Sequence, residues 1–369
     1  MRIGIILHGP EIVDMDSARR IIEIFRHEHE VIAKLGGTMG RTAVLDASLE
    51  DIIDISEGLT PSETIISMKD GIDLAILLNH GKTLVTGRHF GRIIASRIGF
   101  SLPFVHIERP DADGRIIYYD PGSKRCVQFV WNTLHRYHKN YELQIESGRA
   151  IPSQVRIEGE YVIRNISGAF EGENIRVDGI VIGEVAHTHP ELICKNGKIV
   201  DVKGVIIKPH GLEKLENRNI DLFTVKVKTG NIRRSLHSPR IKKSDTQGKN
   251  YIAMIDHCAE NTFEIVKDAG LVITVGDDTT TIAADILTRL GIPIIGITDG
   301  DMDRVLESCI VPEDSVIIRL RPGYDDIIGR EVFEKLMGGK KHIKAMGSDE
   351  MVARVLSLAE KYIVDVTYY

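Results

Sequence analysis

The amino-acid sequence predicts an α/β fold in which two Rossmann-like parallel-sheet layers flank a β-rich middle segment. Short apolar runs alternate with helical patterns over residues 1–148 and again over residues 236–369. Over residues 149–235, short runs rich in Val and Ile follow one another without helical patterns between them. Alternating strands and helices favour a parallel sheet, whereas consecutive short strands favour a β-rich insert or a small barrel. We therefore expect three regions with those boundaries.

The N-terminal region begins with a short apolar strand over residues 3–7, which ends at His8-Gly9-Pro10. Residues 17–27 place apolar side chains at the i, i+3, i+4 and i+7 spacing of an amphipathic helix. Further strands are predicted over residues 31–35, 74–78 and 103–107, with helices over residues 43–53 and 89–98.

The middle segment has strand-like runs over residues 156–163, 175–185, 199–207 and 222–228, and Asn196-Gly197 is a strong hairpin signal. In the C-terminal region we expect strands over residues 271–275, 292–297 and 315–320 and a helix over residues 280–290. Two further helices are predicted to end the chain.

Composition excludes several classes of function. Lys and Arg total 47 against 53 Asp and Glu, which gives a net charge of −6 over 369 residues, and aromatic residues make up 5 %. A nucleic-acid ligand is therefore disfavoured, because a basic stripe or stacking aromatics would be expected. No apolar run approaches the roughly 18 residues that cross a bilayer, so we expect no membrane association. The cysteines form no C-x-x-C pair, which is typical of a reducing, cytoplasmic location. A homo-oligomer is compatible with the sequence.

Two acidic loops follow neighbouring predicted strands of the C-terminal region. Because ligands bind at the carboxyl ends of parallel strands, we expect the two loops to face each other. Clustered carboxylates need a cation, and Mg²⁺ prefers oxygen ligands and bridges to phosphates. The alternative is structural, with Asp277 or Thr279 as a helix N-cap and Asp299-Gly300 as a turn. The candidates are Asp278 and Asp301 for Mg²⁺, Gly276 and Thr279 for phosphate, and Asp277 and Asp299 for catalysis, one of them as a general base.

A glycine-rich turn follows the predicted strand over residues 31–35. Glycines let backbone N–H groups approach an anion closely, and an arginine adds a bidentate contact. The alternative is a tight turn with a glycine at the start of a helix. The candidate phosphate-binding residues of this turn are Gly36, Gly37, Thr38, Gly40, Arg41 and Thr42.

A second polar turn follows the predicted strand over residues 74–78. Gly81-Lys82-Thr83 is similar to the end of a Walker A loop, but Ile76 stands where that motif requires glycine, so a P-loop is rejected. An exposed loop without a ligand is the alternative. His80, Lys82 and Arg88 are the candidate phosphate-binding residues here.

Two resemblances follow from these motifs. Val275-Gly276-Asp277-Asp278-Thr279 and Ile297-Thr298-Asp299-Gly300-Asp301 resemble the Gly-Gly-Asp-Gly-Thr-type motif of phosphofructokinases and NAD kinases, over residues 272–303. Val275 replaces the first glycine of that motif, and the lysine of the phosphofructokinase loop is missing. The resemblance implies that Asp277 lies near the phosphates and Asp299 near the acceptor hydroxyl. The chain as a whole resembles a family of uncharacterised proteins from methanogenic archaea, which implies no activity.

The leading hypothesis is a protein that binds a nucleotide or another phosphorylated metabolite with Mg²⁺ and transfers a phosphoryl group. Phosphoryl transfer requires mainly that the reacting groups are positioned and that their charges are neutralised. In one cleft, the cationic loops could hold the phosphate oxygens and the acidic loops could hold the metal ion. Two alternatives stay open. One is a non-catalytic nucleotide-binding or regulatory protein, and the other is a metal-dependent phosphohydrolase that uses Asp299, Asp301 and Asp303.

Overall fold

The structure is a computed structural model. It describes residues 1–38, 40–99, 102–138, 143–148, 154–187, 189–216, 218–229, 238–244, 249–256, 258–300 and 310–369. The fold is mixed α/β with sheets that contain parallel strands, so the predicted fold class is confirmed. The chain divides into two compact units, Met1–Leu236 (the N-terminal unit) and His237–Tyr369 (the C-terminal unit).

The N-terminal unit opens with a mixed sheet whose strand order is β2-β1-β3-β4-β5-β6. Strands β1 to β4 are parallel, whereas β5 runs antiparallel to β4. The strands are β1 (Arg2–His8), β2 (Glu30–Leu35), β3 (Leu74–Asn79), β4 (Phe104–Glu108), β5 (Arg115–Tyr118) and β6 (Gln144–Ser147). The helices are α1 (Glu11–Asp14), α2 (Ser17–Arg26), α3 (Arg41–Asp46), α4 (Pro61–Met68), α5 (Leu84–Ile98) and α6 (Lys124–Tyr137), and a short 3₁₀ turn follows at Lys69–Gly71.

Helices cover both faces of this sheet. Ile5 and Leu7 of β1 pack with α2 and α6 on one face, whereas Ile6 packs with α4 and α5 on the other. Strand β3 is buried at every position, as expected of a parallel strand with helices above and below it. Helix α3 ends at Asp46, earlier than the sequence predicts, because Ser48 takes a left-handed backbone conformation (φ +53°).

The β-sandwich, residues 154–229, consists of two antiparallel sheets with the orders β13-β10-β9-β14 and β12-β11-β8-β7. Both sheets contribute to one apolar core, which includes Ile175, Ile182 and Leu192. Its elements are β7 (Val155–Glu158), β8 (Tyr161–Asn165), β9 (Asn174–Val177), β10 (Ile180–Val185), β11 (Glu191–Lys195), β12 (Lys198–Lys203), β13 (Val205–Ile207), α7 (Pro209–Glu213) and β14 (Val227–Thr229).

The predicted hairpin at Asn196-Gly197 is present between β11 and β12, and both turn residues have positive φ, as a type I′ turn requires. Three runs predicted as single strands are each divided in two, because left-handed glycines at Gly159, Gly179 and Gly204 reverse or interrupt the chain. Apolar content alone does not reveal such breaks. The run over residues 222–228 forms a strand only from Val227 onward.

The C-terminal unit contains a second mixed sheet with the order β19-β15-β16-β17-β18-β20. Strands β15 to β18 are parallel, and the edge strands β19 and β20 are antiparallel to their neighbours. The strands are β15 (Tyr251–Asp256), β16 (Ala269–Val275), β17 (Ile294–Thr298), β18 (Val316–Leu320), β19 (His342–Lys344) and β20 (Ile363–Tyr368). The helices are α8 (Thr262–Ile265), α9 (Asp277–Leu290), α10 (Asp325–Glu331) and α11 (Ser348–Ala359), with 3₁₀ turns at Ala259–Asn261 and Glu360–Tyr362 and a π-helical turn at Val332–Leu336.

The chain ends in a strand, and the prediction that two helices end it is wrong in that respect. Strand β20 follows α11 and pairs with β18, where its β-branched residues suit a half-buried edge position. Within the described part of the chain, no helix has the length and apolar character that crossing a membrane requires.

Candidate functional site

The parallel strands of the N-terminal sheet bring their carboxyl-terminal turns to one edge. In the order β2-β1-β3-β4, the chain moves to one side of β1 and then returns to the other side, so a topological switch point lies between β1 and β3. His8 at the end of β1 is in register with Asn79 at the end of β3. Ligands of open α/β sheets bind outside the carboxyl ends of strands at such a point.

A fully buried carboxylate holds the turn that follows β3. Glu108, at the end of β4, accepts hydrogen bonds from the Asn79 side-chain amide at 2.7 Å and from the Gly81 backbone N–H at 2.6 Å. The His106 ring nitrogen Nε2 lies 3.0 Å from the same carboxylate, and the His106 Nδ1 lies 3.0 Å from the Tyr119 hydroxyl. Buried carboxylates require such donors, and here they fix the backbone of the turn.

Two glycines allow α5 to lie directly against this buried network. A Cβ atom at Gly87 would overlap the Glu108 carboxyl group, and one at Gly91 would overlap the Tyr119 hydroxyl and the His106 ring. Because residues four apart share one face of a helix, the two glycines form one flat surface. The first turn of α5 is thereby held beside the turn that Glu108 anchors.

Two histidines occupy the switch point. The His8 Nδ1 donates to the Gly36 carbonyl at 3.1 Å, and its ring stacks on Phe90 with centroids 4.2 Å apart. Burial lowers the pKa of His8, so its Nε2 is an acceptor at neutral pH. The His80 Nδ1 is buried and has no hydrogen-bond partner within the described ranges. Burial and the neighbouring Arg109 charge lower the pKa of His80 as well.

The two cationic side chains predicted at this edge, Lys82 and Arg88, form ion pairs. The Lys82 Nζ lies 2.6 Å from both Glu173 oxygens and 3.3 Å from the Thr229 hydroxyl, which connects the turn to the β-sandwich. Arg88 pairs with Glu146, with its Nε 3.1 Å from a carboxylate oxygen. Neither charge is available to a phosphate without breaking its pair.

The glycine-rich turn after β2 is also largely engaged with protein groups. The Gly36 N–H donates to the Leu7 carbonyl at 2.8 Å, and the Gly37 N–H donates to the Leu59 carbonyl at 2.7 Å. Gly37 has φ +95°, which explains the need for glycine there, and Gly40 is the N-cap of α3. Only 1 % of Arg41 is exposed, so a surface ligand would meet this turn mainly through Thr38 and Thr42, which are partly exposed.

At the carboxyl edge of the C-terminal sheet, two aspartates accept hydrogen bonds from backbone N–H groups of neighbouring loops. The Asp277 Oδ2 accepts from the Gly300 N–H at 3.2 Å, and the Asp299 Oδ2 accepts from the Gly323 N–H at 2.6 Å. These bonds connect the loops that follow β16, β17 and β18. Gly276 is the N-cap of α9 with φ +93°, Thr279 is buried, and Asp278 is exposed.

Only part of the predicted Mg²⁺ site lies within the described residues. Asp301 and Asp303 lie outside the described residues. Among the described residues, no group of three or more His, Cys, Asp and Glu side chains is arranged to hold a metal ion. The structure therefore gives Asp277 and Asp299 a loop-connecting role, while their catalytic role and the Mg²⁺-binding role of Asp278 and Asp301 stay predictions.

The sequence analysis did not identify the Glu108 network. The sequence feature that could have revealed this network is the spacing of His106 and Glu108, two residues apart in an otherwise apolar strand. That spacing places both polar side chains on one face of a buried strand, where each needs a partner.

Comparison with known proteins identifies relatives along most of the chain. Residues 5–340 match a family described as an uncharacterised protein conserved in archaea, DUF2117. The uncharacterised protein MJ0065 of Methanocaldococcus jannaschii is 41 % identical over 348 residues, which cover 93 % of each chain. The resemblance to uncharacterised proteins of methanogenic archaea is thus confirmed.

Proposed function

We infer the function of this chain, which belongs to the archaeal DUF2117 family, from its own geometry. We propose that the protein binds a phosphorylated metabolite or a nucleotide at the carboxyl edge of the N-terminal sheet. The phosphate would lie at the turn between β3 and α5, beside His8 and His80.

The buried Nδ1 of His80, which has no partner within the described ranges, is the observation that carries this proposal. Leaving a buried polar atom without a hydrogen bond costs about 1–3 kcal/mol, so a ligand group that bonds to it recovers free energy. A neutral imidazole offers one donor and one acceptor, which suits a phosphate oxygen or a sugar hydroxyl.

The N-terminus of α5 supports an anionic ligand. The helix has 15 residues, begins after the Thr83 cap and has no acidic residue in its first turn. Such a terminus carries about half a positive charge and N–H groups that favour phosphate. The first turn of α9 in the C-terminal unit contains Asp277 and Asp278 instead, which disfavours a phosphate without a cation.

For the C-terminal unit considered by itself, we propose Mg²⁺ binding and phosphoryl transfer. Asp278 and Asp301 would supply carboxylate ligands, and Asp277 and Asp299 would act on the transferred group. Turnover with a panel of phosphate donors separates this enzyme from a regulatory protein that only binds, and release of inorganic phosphate identifies a phosphohydrolase.

A thermal-shift screen of nucleotides and sugar phosphates, with and without Mg²⁺, tests the proposal. A ligand at 100 times its Kd stabilises the protein by about 2.7 kcal/mol. That corresponds to roughly 5–11 °C for a unit of this size. We expect at least one phosphorylated compound to raise the melting temperature of the parent protein.

Matched variants locate the site. His80→Ala should abolish the shift, whereas His210→Ala, at an exposed position of the β-sandwich, should retain it. A shift that persists in His80→Ala contradicts the proposed location. A Mg²⁺-dependent shift that is lost only in Asp277→Asn moves the site to the C-terminal unit, and a screen without hits refutes phosphate-ligand binding.

A further inference from the structure

A cavity of about 170 Å³ lies between α5 and the β-sandwich. Helix α5 contributes residues at positions 86, 89, 90 and 93, whose spacing places them on one face of the helix. The β-sandwich contributes the end of β8, the residues that follow it and strand β14.

Arg164 gives this cavity an uncompensated positive charge. Its Nη1 donates to the Leu222 carbonyl at 3.1 Å and to the Val225 carbonyl at 2.8 Å. No carboxylate in the described part of the chain pairs with it, and no acidic side chain lines the cavity. Burial, reinforced by the nearby Arg97 charge, lowers the pKa of Arg164. A buried cation without a counter-ion is costly, and an anion in the cavity would relieve that cost.

The hydrogen bonds of His89 fix a second donor. Its Nδ1 lies 2.8 Å from the Gln154 amide nitrogen and 3.1 Å from the Ser167 hydroxyl. Because an amide nitrogen can only donate, the His89 Nδ1 accepts, and the ring proton of the neutral imidazole is on Nε2. Burial lowers the pKa of His89 and favours this neutral form. The cavity thus combines a guanidinium, an imidazole N–H and several hydroxyl and amide groups.

The remaining walls are apolar, formed by Phe90, Ile93, Ile166 and Val227. The volume is below the roughly 300 Å³ at which drug-sized pockets begin. A ligand of this cavity is therefore small, with one anionic end and a short carbon body.

We propose that this cavity is a binding site for a small oxyanion, a phosphate or carboxylate group, held by the Arg164 guanidinium with its carbon substituent against the apolar wall. His80 does not line this cavity, so the cavity can bind an anion whether or not a phosphorylated ligand binds at the turn between β3 and α5. Phe90 contributes to both, because it lines the cavity and stacks on His8.

Titration of the full chain with inorganic phosphate, acetate and isovalerate, followed by the ¹⁵N resonances of the histidine side chains, tests this site. We expect saturable shifts of the His89 signal, with a Kd on the order of 1 mM for the preferred anion. The Kd values for phosphate and acetate show which oxyanion the site prefers. The Kd for isovalerate, compared with that for acetate, tests the contact with the apolar wall. Tighter binding of isovalerate than of acetate is expected if the carbon body contacts that wall.

Arg164→Gln should weaken binding by about tenfold or more, because it removes a charged donor. Val227→Phe retains the charge and fills the cavity, so it should also abolish binding even if Arg164→Gln fails to fold. Arg218→Gln, at an exposed arginine of the same region, is the matched control and should bind like the parent protein.

Absence of saturation below about 10 mM in the parent protein overturns the proposal, as does unchanged binding in Val227→Phe. His80→Ala separates this site from the proposed function. If His80→Ala abolishes nucleotide shifts and leaves the His89 titration intact, both sites stand. If the nucleotide screen fails and the His89 titration succeeds, only the proposed function is lost.

Discussion

Gly87→Ala is the most direct test of the buried network beneath the switch point. The added methyl group would overlap the carboxyl carbon and both oxygens of Glu108. Glu108 cannot move away freely, because the Asn79 amide and the Gly81 N–H hold it at 2.7 and 2.6 Å. Either α5 must shift or the carboxylate must lose hydrogen bonds.

The expected cost follows from these contacts. Overpacking in a core costs about 1–3 kcal/mol. Each buried donor that loses its acceptor adds roughly 1–3 kcal/mol. The higher helix propensity of alanine returns about 1 kcal/mol. With one hydrogen bond lost, the free energy of unfolding of the N-terminal unit should fall by about 3 kcal/mol, which lowers its melting temperature by roughly 6–12 °C.

Thermal unfolding followed by circular dichroism, together with urea titration, measures this loss. Gly71→Ala is the matched control, because a Cβ atom at Gly71 meets nothing within 4 Å. Its stability should stay within about 0.5 kcal/mol of the parent protein. A Gly87→Ala protein as stable as Gly71→Ala would refute the rigid contact between α5 and Glu108.

Three further outcomes are expected. Glu108→Gln should lower the free energy of unfolding by at least about 2 kcal/mol in urea titrations, because an amide cannot accept from every donor that the carboxylate serves. Acidification from pH about 7 to about 5.5 should destabilise the N-terminal unit. Since the pKa values of His8 and His89 are lowered in the folded state, the unfolded chain binds more protons below pH about 6.5. Lys82→Met should cost about 1–2 kcal/mol and accelerate amide exchange near Glu173, because it breaks a partly buried ion pair.

Each of these outcomes has its own control. For the carboxylate, a Glu108→Gln protein with parental stability would mean that its hydrogen bonds contribute little. For the pH dependence, His89→Gln should flatten the loss of stability, and an unchanged slope would contradict the titration of His89. For the ion pair, the effects of Lys82→Met and Glu173→Gln should not add in the double variant, since each removes the same interaction.

The sequence predicted most of the parallel strands, because their apolar runs are short, continuous and bounded by glycine or polar residues. Residues 74–78 are one example, where every position of β3 is buried. The strand prediction failed where left-handed glycines divide apolar runs, as at Gly159 and Gly204. It also missed β20, whose pairing with β18 is a contact between distant parts of the chain.

The sheet edge that carries the candidate site was predicted from the sequence, but the interactions of its side chains were not. His80 follows a strand end, and the expected edge of the sheet is present. The ion pairs of Lys82 with Glu173 and of Arg88 with Glu146 join residues 91 and 58 positions apart, so no local pattern could reveal them. A cationic side chain after a strand looks the same in a sequence whether it is paired or available to a ligand.

The two sheets differ in where carboxylates lie at the carboxyl ends of their strands. In the C-terminal unit, the carboxylates that follow β16 and β17 accept backbone N–H groups from neighbouring loops, and the first turn of α9 contains acidic residues. In the N-terminal unit, Glu108 is buried beneath the turn, and the first turn of α5 has no acidic residue. A first turn without acidic residues favours an anion, and the Glu108 carboxylate beneath it already accepts hydrogen bonds from Asn79 and Gly81. A first turn that contains carboxylates requires a cation first. Anion binding that depends on His80 and is independent of Mg²⁺ is therefore the outcome that best fits the electrostatics of both units.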